Sequence, residues 1–231
     1  AKEKGVPGEM KMPEDMIQAI CKKAHQLGLL TSAHVESTEG VKAALRNGVD
    51  SIEHGAKPDQ EMMELFKEKK AFLITTLSPA LPFALFDPSV SKVDDTQLFN
   101  GKMVFDGIVE CSKAALENHI PVGLGNDVGC PWITQYDFYR ELVYFHKYVG
   151  VTTGFAIYTA TLQNAILAGI SDITGSIDAG KQADMIVVKE NPLDDLNALK
   201  NIELVFTKGK MVHPKIKRDK EIEQRLDVFC K

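Results

Sequence analysis

No C-x-x-C pair occurs in this sequence, and its four cysteines, Cys21, Cys111, Cys130 and Cys230, are scattered along the chain. That spacing argues against a disulfide scaffold or a cysteine-type zinc site, and a reducing cytoplasm is the expected setting. Basic charge is not in excess either: 27 Lys plus Arg stand against 32 Asp plus Glu, a formal net charge of −5. A nucleic-acid or anionic-membrane binder needs a basic face, so neither partner is expected. No apolar run approaches the roughly 20 residues that cross a bilayer. No charged segment followed by an apolar one opens the chain as a secretory signal would. Internal repeats and low-complexity tracts are absent as well. The first residue is Ala1 rather than Met, which reads as a chain processed or cut from something longer.

What is present is an ordinary globular composition. With 44% hydrophobic and 26% charged residues over 231 positions, the chain can bury the core of one large domain, or of one and a half. The first two thirds alternate between helical and strand-like patterning. Met16, Ile17, Ile20, Ala24 and Leu27 recur at helical spacing after Pro13, and Gly28 ends the run. Strand-like runs follow at 29–34, 49–54, 71–77 and 120–125, each preceded by a helical segment. Prolines at 79, 82 and 88 mark a longer connection before a helix over 96–118. This alternation implies a parallel sheet with right-handed crossovers, either as part of a barrel or as an open doubly wound sheet. Beyond residue 125 the rhythm changes. Two consecutive helices are expected over 136–148 and 153–168, then a strand at 185–188, and then a hairpin turning at Lys208-Gly209. The closing residues, 215–231, mix charges of both signs and suggest a solvated helix.

Three polar residues stand where apolar strands run out into loops: His34, His54 and Asp127. In α/β sheets and barrels this C-terminal strand edge is where ligands bind. Two imidazoles and a carboxylate on that edge suit a divalent metal and a proton transfer. Singly, each has a plainer reading, as a hydrogen-bonded structural histidine or a turn-forming aspartate. Their shared position is what singles them out.

The segments Thr31-Ser32-Ala33-His34, Gly48-Val49-Asp50-Ser51-Ile52-Glu53-His54-Gly55 and Gly123-Leu124-Gly125-Asn126-Asp127 resemble strands five, six and eight of the amidohydrolase superfamily barrel. The closest likeness is to the branch of imidazolonepropionase and the metal-dependent Xaa-Pro and Xaa-Arg dipeptidases. Gly180-Lys181-Gln182-Ala183-Asp184 resembles that family's entry into a small β-sandwich. The resemblance runs from about Glu14 to Val212. It implies the C-terminal half of a (β/α)8 TIM-type barrel over 1–170, a β-sandwich portion over 171–213 and a charged terminal helix or tail over 214–231. It also implies a hydrolase of C–N bonds in small substrates, either dipeptides or cyclic amides. In that scheme a divalent metal, zinc above all, activates water, and Asp127 moves the proton to the departing amine. His34 and His54 would be metal ligands, with one or two ions in the complete protein, and Asp127 would touch the metal as well as shuttle. In single-metal relatives His54 would contact the substrate instead. A deaminase on the same barrel and a noncatalytic binding subunit are the alternatives.

One departure stands against these matches. No two histidines lie two residues apart, so the family's His-x-His pair is missing, and no lysine stands where the family's bridging Lys would. The chain is therefore expected to supply half of a barrel and an incomplete ligand set. Its expected partners are the small-molecule substrate, a missing N-terminal half or complementary chain, and further copies of itself in a homo-oligomer. By itself it is expected to be inactive.

Trp132 and Cys130, on the loop after Asp127, are candidate substrate contacts; a lid residue and a small packing residue are the plainer readings. Glu36 and Glu53 flank the two histidines and either hydrogen-bond to them or are solvated. His25, His119, His146 and His213 read as surface or satisfied residues. Tyr136, Tyr139, Tyr144, Phe145 and Tyr148 follow helical spacing and read as core.

Overall fold

The computed structural model describes residues 3–231. The chain divides into two compact units, with the boundary between Gly125 and Asn126.

In the first unit, helix and strand alternate as the patterning predicts. The order is α1 (Glu14–Gln26), β1 (Ser32–Val35), α2 (Thr38–Arg46), β2 (Ser51–His54), α3 (Gln60–Lys69), β3 (Phe72–Thr75), α4 (Leu77–Leu85), α5 (Pro88–Ser91), α6 (Asp95–Glu117) and β4 (Val122–Leu124). The strands form one sheet in the order β1-β2-β3-β4, every neighbouring pair parallel. Strand order follows sequence order without reversal, so these four strands contain no topological switch point, which a doubly wound sheet requires. The α/β class with a parallel sheet is as expected.

Register assigns the faces. Ser32 pairs with Ser51, His34 with Glu53, Glu53 with Ile74, and Ile74 with Gly123, so these side chains share one side of the sheet. The opposite side carries Ile52, Leu73, Val122 and Leu124, all at most 4% exposed. That side is the core, and Thr75 on it receives a hydrogen bond from Ser112 of α6 at 2.8 Å. The two starts of β1 and β2 are tied together by Asp50. Its Oδ2 accepts from the Thr31 N–H at 2.7 Å and the Thr31 hydroxyl at 2.8 Å, and pairs with His25 Nε2 at 2.8 Å. Burial pushes the Asp50 carboxyl up, but the hydrogen bonds from His25 and Thr31 outweigh it and hold its pKa below the usual carboxylate value. His25 is thus a satisfied structural residue.

The proline-bearing connection is a difference from expectation, because it folds into α4. Pro79 falls in the first turn, where a backbone N–H has no intrahelical partner to lose. Pro82 lies inside the helix and does forfeit a bond. Burial offsets that loss: Leu77, Ser78, Ala80, Leu81, Pro82 and Ala84 are all buried, and α4 packs along α6. The approach is close, since a Cβ on Gly101 of α6 would come within 2.8 Å of Phe83 Cβ. α6 itself starts with a reciprocal cap. The Asp94 carboxylate accepts from the Gln97 N–H at 2.7 Å, and the Gln97 side chain accepts from the Asp94 N–H at 2.9 Å.

The second unit begins with the loop that carries Asp127. Two helical stretches follow, but each contains a π-helical turn: α7 (Tyr139–Tyr144) continues through Phe145–Val149, and α8 (Thr153–Tyr158) continues through Thr159–Gln163 into α9 (Asn164–Leu167). Tyr139, Tyr144 and Phe145 are buried as expected, while Tyr136 and Tyr148 are half-buried. Strands β5 (Met185–Val188), β6 (Ile202–Thr207) and β7 (Lys210–Val212) form an antiparallel sheet. The hairpin turns at Lys208 and Gly209, both at positive φ (52° and 73°), as a tight two-residue turn matched to strand twist requires. The final helix, α10 (Lys220–Asp227), is not merely solvated. Leu226 is 2% exposed, and Asp227 pairs with the buried Arg140 of α7 at 2.7 Å and with Lys200 at 2.8 Å.

Candidate functional site

The two strand-end histidines come together. β1 delivers His34 to the polar side of the sheet through simple alternation with Ser32. By the same alternation His54, paired with Val35, belongs on the core side. It does not stay there, because its backbone turns into the left-handed region at φ 72°, followed by Gly55 at φ 83°. A non-glycine residue in that region is strained, and surrounding contacts must hold it there. The result is a T-shaped pair of imidazoles with centroids 4.6 Å apart. His34 is exposed and His54 is 3% exposed.

Thr76, 1% exposed and just beyond β3, hydrogen-bonds His54 Nδ1 through its hydroxyl. That contact orients the ring and makes Nε2 the nitrogen suited to a metal, the usual arrangement for a ligating histidine. Behind His54, Gly55 lies against α6: a Cβ there would fall 2.8 Å from Cys111 Sγ and 3.1 Å from Leu73 Cδ1. Burial pushes the Cys111 thiol up to about 12, so it is an inert wall rather than a nucleophile. Glu53, on the same side as His34, accepts a hydrogen bond from the Ser32 hydroxyl at 2.5 Å and lies 3.2 Å from the Ser51 hydroxyl. Thr76 is the partner that sequence reasoning missed. Its only signal is its place one residue past a strand end, on the edge where His34 and His54 also sit.

In the second unit, Asp127, Cys130 and Trp132 ride on one folded loop. Asp127 sits at φ 48° and Trp132 at φ 72°. The Asp127 carbonyl accepts from the Cys130 N–H at 3.1 Å, and the Cys130 carbonyl accepts from the Ile133 N–H at 3.0 Å. Asp127 and Cys130 are exposed and Trp132 is half-buried, so Cys130 is not a packing residue. Among the described residues no group of three or more His, Cys, Asp or Glu side chains is arranged to hold a metal ion. Two adjacent imidazoles, one of them oriented by Thr76, fit a divalent cation as part of a ligand set, and they fall short of the three protein ligands common at catalytic zinc.

Comparison with known proteins follows the same lines. The chain superposes on the crystal structure of a Bifidobacterium longum protein described as a candidate prolidase, with TM-score 0.92 and 38% identity, over 96% of this chain and 56% of that one. It also superposes on an Xaa-Pro dipeptidase solved with bound methionine, with TM-score 0.79 and 29% identity, over 90% of this chain and 51% of that one. In sequence it is 28% identical over 204 residues to ochratoxinase from Aspergillus niger, 86% of this chain and 41% of that protein. The chain therefore spans about half the length of the relatives it matches. The amidohydrolase family model matches residues 5–212. That stretch takes in the parallel sheet, the paired histidines and the small antiparallel sheet together, and the chain belongs to the amidohydrolase family.

Proposed function

We propose that this chain is part of a metal-dependent hydrolase of amide C–N bonds in small substrates, with dipeptides the leading class. The observation that carries the reading is the histidine pair: two imidazoles from adjacent parallel strands, one of them brought across by a strained backbone and oriented by Thr76. Membership of the amidohydrolase family and similarity to an Xaa-Pro dipeptidase support the bond type. The strand order supports assigning β1 to β4 as strands five to eight of a (β/α)8 barrel, with β5 to β7 as part of a β-sandwich.

In this reading His34 and His54 hold a divalent cation, zinc being the leading candidate, as two neutral donors. The cation, when bound, supplies Lewis-acid activation of water and carbonyl. Asp127 takes a proton from the attacking water and returns it to the departing amine, which an exposed carboxylate on a fixed loop is suited to do. Thr76 keeps the His54 ring in one orientation. Trp132 and Cys130, on the Asp127 loop, contact the substrate. The remaining ligands come from a missing N-terminal half or from a complementary chain.

The test is turnover of a dipeptide panel, Xaa-Pro included, by the full-length gene product and by its His54→Ala variant. Hydrolysis by the parent and its loss in the variant are expected. Undiminished hydrolysis in the variant would remove the histidine pair from the reaction.

A further inference from the structure

The C-terminal segment, residues 218–230, touches the Asp127 loop and the start of α7 at several independent points, all within the second unit. The Asp219 N–H donates to Tyr136 Oη at 2.6 Å. The same residue caps α10, its carboxylate accepting from the N–H groups of Glu221 and Ile222 at 3.0 and 3.2 Å. The Arg218 guanidinium stacks over the Tyr136 ring at 5.0 Å and reaches the buried Asp137 carboxylate at 3.5 Å. Within α10, Arg225 lies over the Trp132 ring at 5.8 Å. The far end is anchored at Arg140, 2% exposed, which meets Asp227 at 2.7 Å and Cys230 Sγ at 3.2 Å.

From these contacts we infer that the C-terminal segment is a strap that fixes the loop carrying Asp127 and Trp132, with Arg218, Arg225 and Tyr136 as positioning residues. The inference rests on the reading of Asp127 as the proton carrier. Two non-glycine residues of the loop, Asp127 and Trp132, lie in the left-handed region, and such strain persists only where surrounding structure over-determines it. Backbone hydrogen bonds tie Cys130 to Asp127 and Ile133 to Cys130, and a further one ties Asp137 to Thr134 just beyond. Restraining Trp132 within the loop and Tyr136 at its end therefore restrains Asp127. A proton carrier is useful only where it is held, since a displacement of about 1 Å can cost on the order of a hundredfold in rate. Guanidinium-over-ring contacts suit this task, because they restrain an aromatic side chain without requiring an enclosed pocket.

Trp132 is the only tryptophan of the chain, so its fluorescence reports the loop directly. Acrylamide quenching is measured on the 231-residue chain and on Arg225→Ala, Tyr136→Phe, Arg218→Gln and Arg218→Lys, with circular dichroism to verify folding. Quenching is expected to rise about twofold in the first three as the loop opens locally. Arg218→Lys, which keeps the cation beside Asp137 and Tyr136, is expected to recover most of the parent value. If Arg218→Gln fails to fold, Tyr136→Phe decides, since it removes a single oxygen. A rise in Arg225→Ala alone, with Tyr136→Phe at the parent value, would overturn the strap and leave only a local cover on the indole. Hydrolysis is followed in the same variants of the full-length gene product and is expected to fall as quenching rises. Quenching that behaves as expected while the full-length parent hydrolyses nothing would refute the proposed function and leave the strap. Parent-like quenching across all variants of an active protein would refute the strap alone.

Discussion

His54 shows how one backbone angle makes a site. Alternation along β2 would put its ring on the core side with Val35, its register partner, and the left-handed turn at φ 72° carries it to the side of His34 instead. The positions of both histidines were legible in the sequence, because an apolar run ending in a polar residue marks a strand edge. The strain was not, since nothing in Glu53-His54-Gly55 distinguishes a strained histidine from an extended one followed by a flexible glycine. Thr76 was missed for a similar reason: its partner is 22 residues away. Thr76→Val keeps the shape but removes the hydroxyl on His54 Nδ1, and a roughly 10- to 100-fold loss of metal affinity or activity is expected, read by metal titration. Gly55→Ala places a methyl 2.8 Å from Cys111 Sγ at φ 83°, and a loss of about 2 kcal/mol is expected in urea unfolding.

Among the elements, the four parallel strands and the hairpin at Lys208-Gly209 could be read from pattern because their signals are local. α4 could not, since Pro79 and Pro82 argue locally against a helix that only packing on α6 explains. The docking of α10 was equally hidden. Its alternating charges look solvated until Arg140, 87 residues away in sequence, is placed beside Asp227. For α6, Asp94→Ala removes a two-way cap, and a cost of about 1 kcal/mol is expected in thermal or urea unfolding. For α10 the prediction is one of pH. Burial raises the pKa of Asp227, but Lys200 and Arg140 outweigh it and leave the carboxyl below its usual value. A depressed carboxylate stabilises the folded state above its ordinary pKa, about 3.9, and that contribution is lost as pH falls through the lowered value. Hydrogen-exchange protection of residues 220–227 should therefore hold from neutral pH down to about 4 and fall below it. In Asp227→Asn that acid step should disappear. Equal protection at the lowest pH in the parent would contradict the pairing.

For the molecule as a whole, the sheet of the first unit ends at β1 and β4, each paired on one side only among the described residues. Beside β1 lies a cavity of about 480 Å³ lined by Met10, Met12, Ile17, Ile20, Ala33 and Val35, with Met10 and Ile20 about half exposed. Open edges and apolar surface of this kind recruit other chains. The 231-residue chain alone is therefore expected to sediment as species larger than its 25.5 kDa monomer and to hydrolyse nothing. A monodisperse, active monomer would contradict this. If His34 and His54 serve a divalent cation in amide hydrolysis, turnover must follow the metal. The rate of dipeptide cleavage by the full-length gene product is followed through chelation and then through readdition of zinc. Turnover is expected to be lost on chelation and to recover with the metal, whereas turnover unchanged by exhaustive chelation would contradict a metal role for the histidine pair.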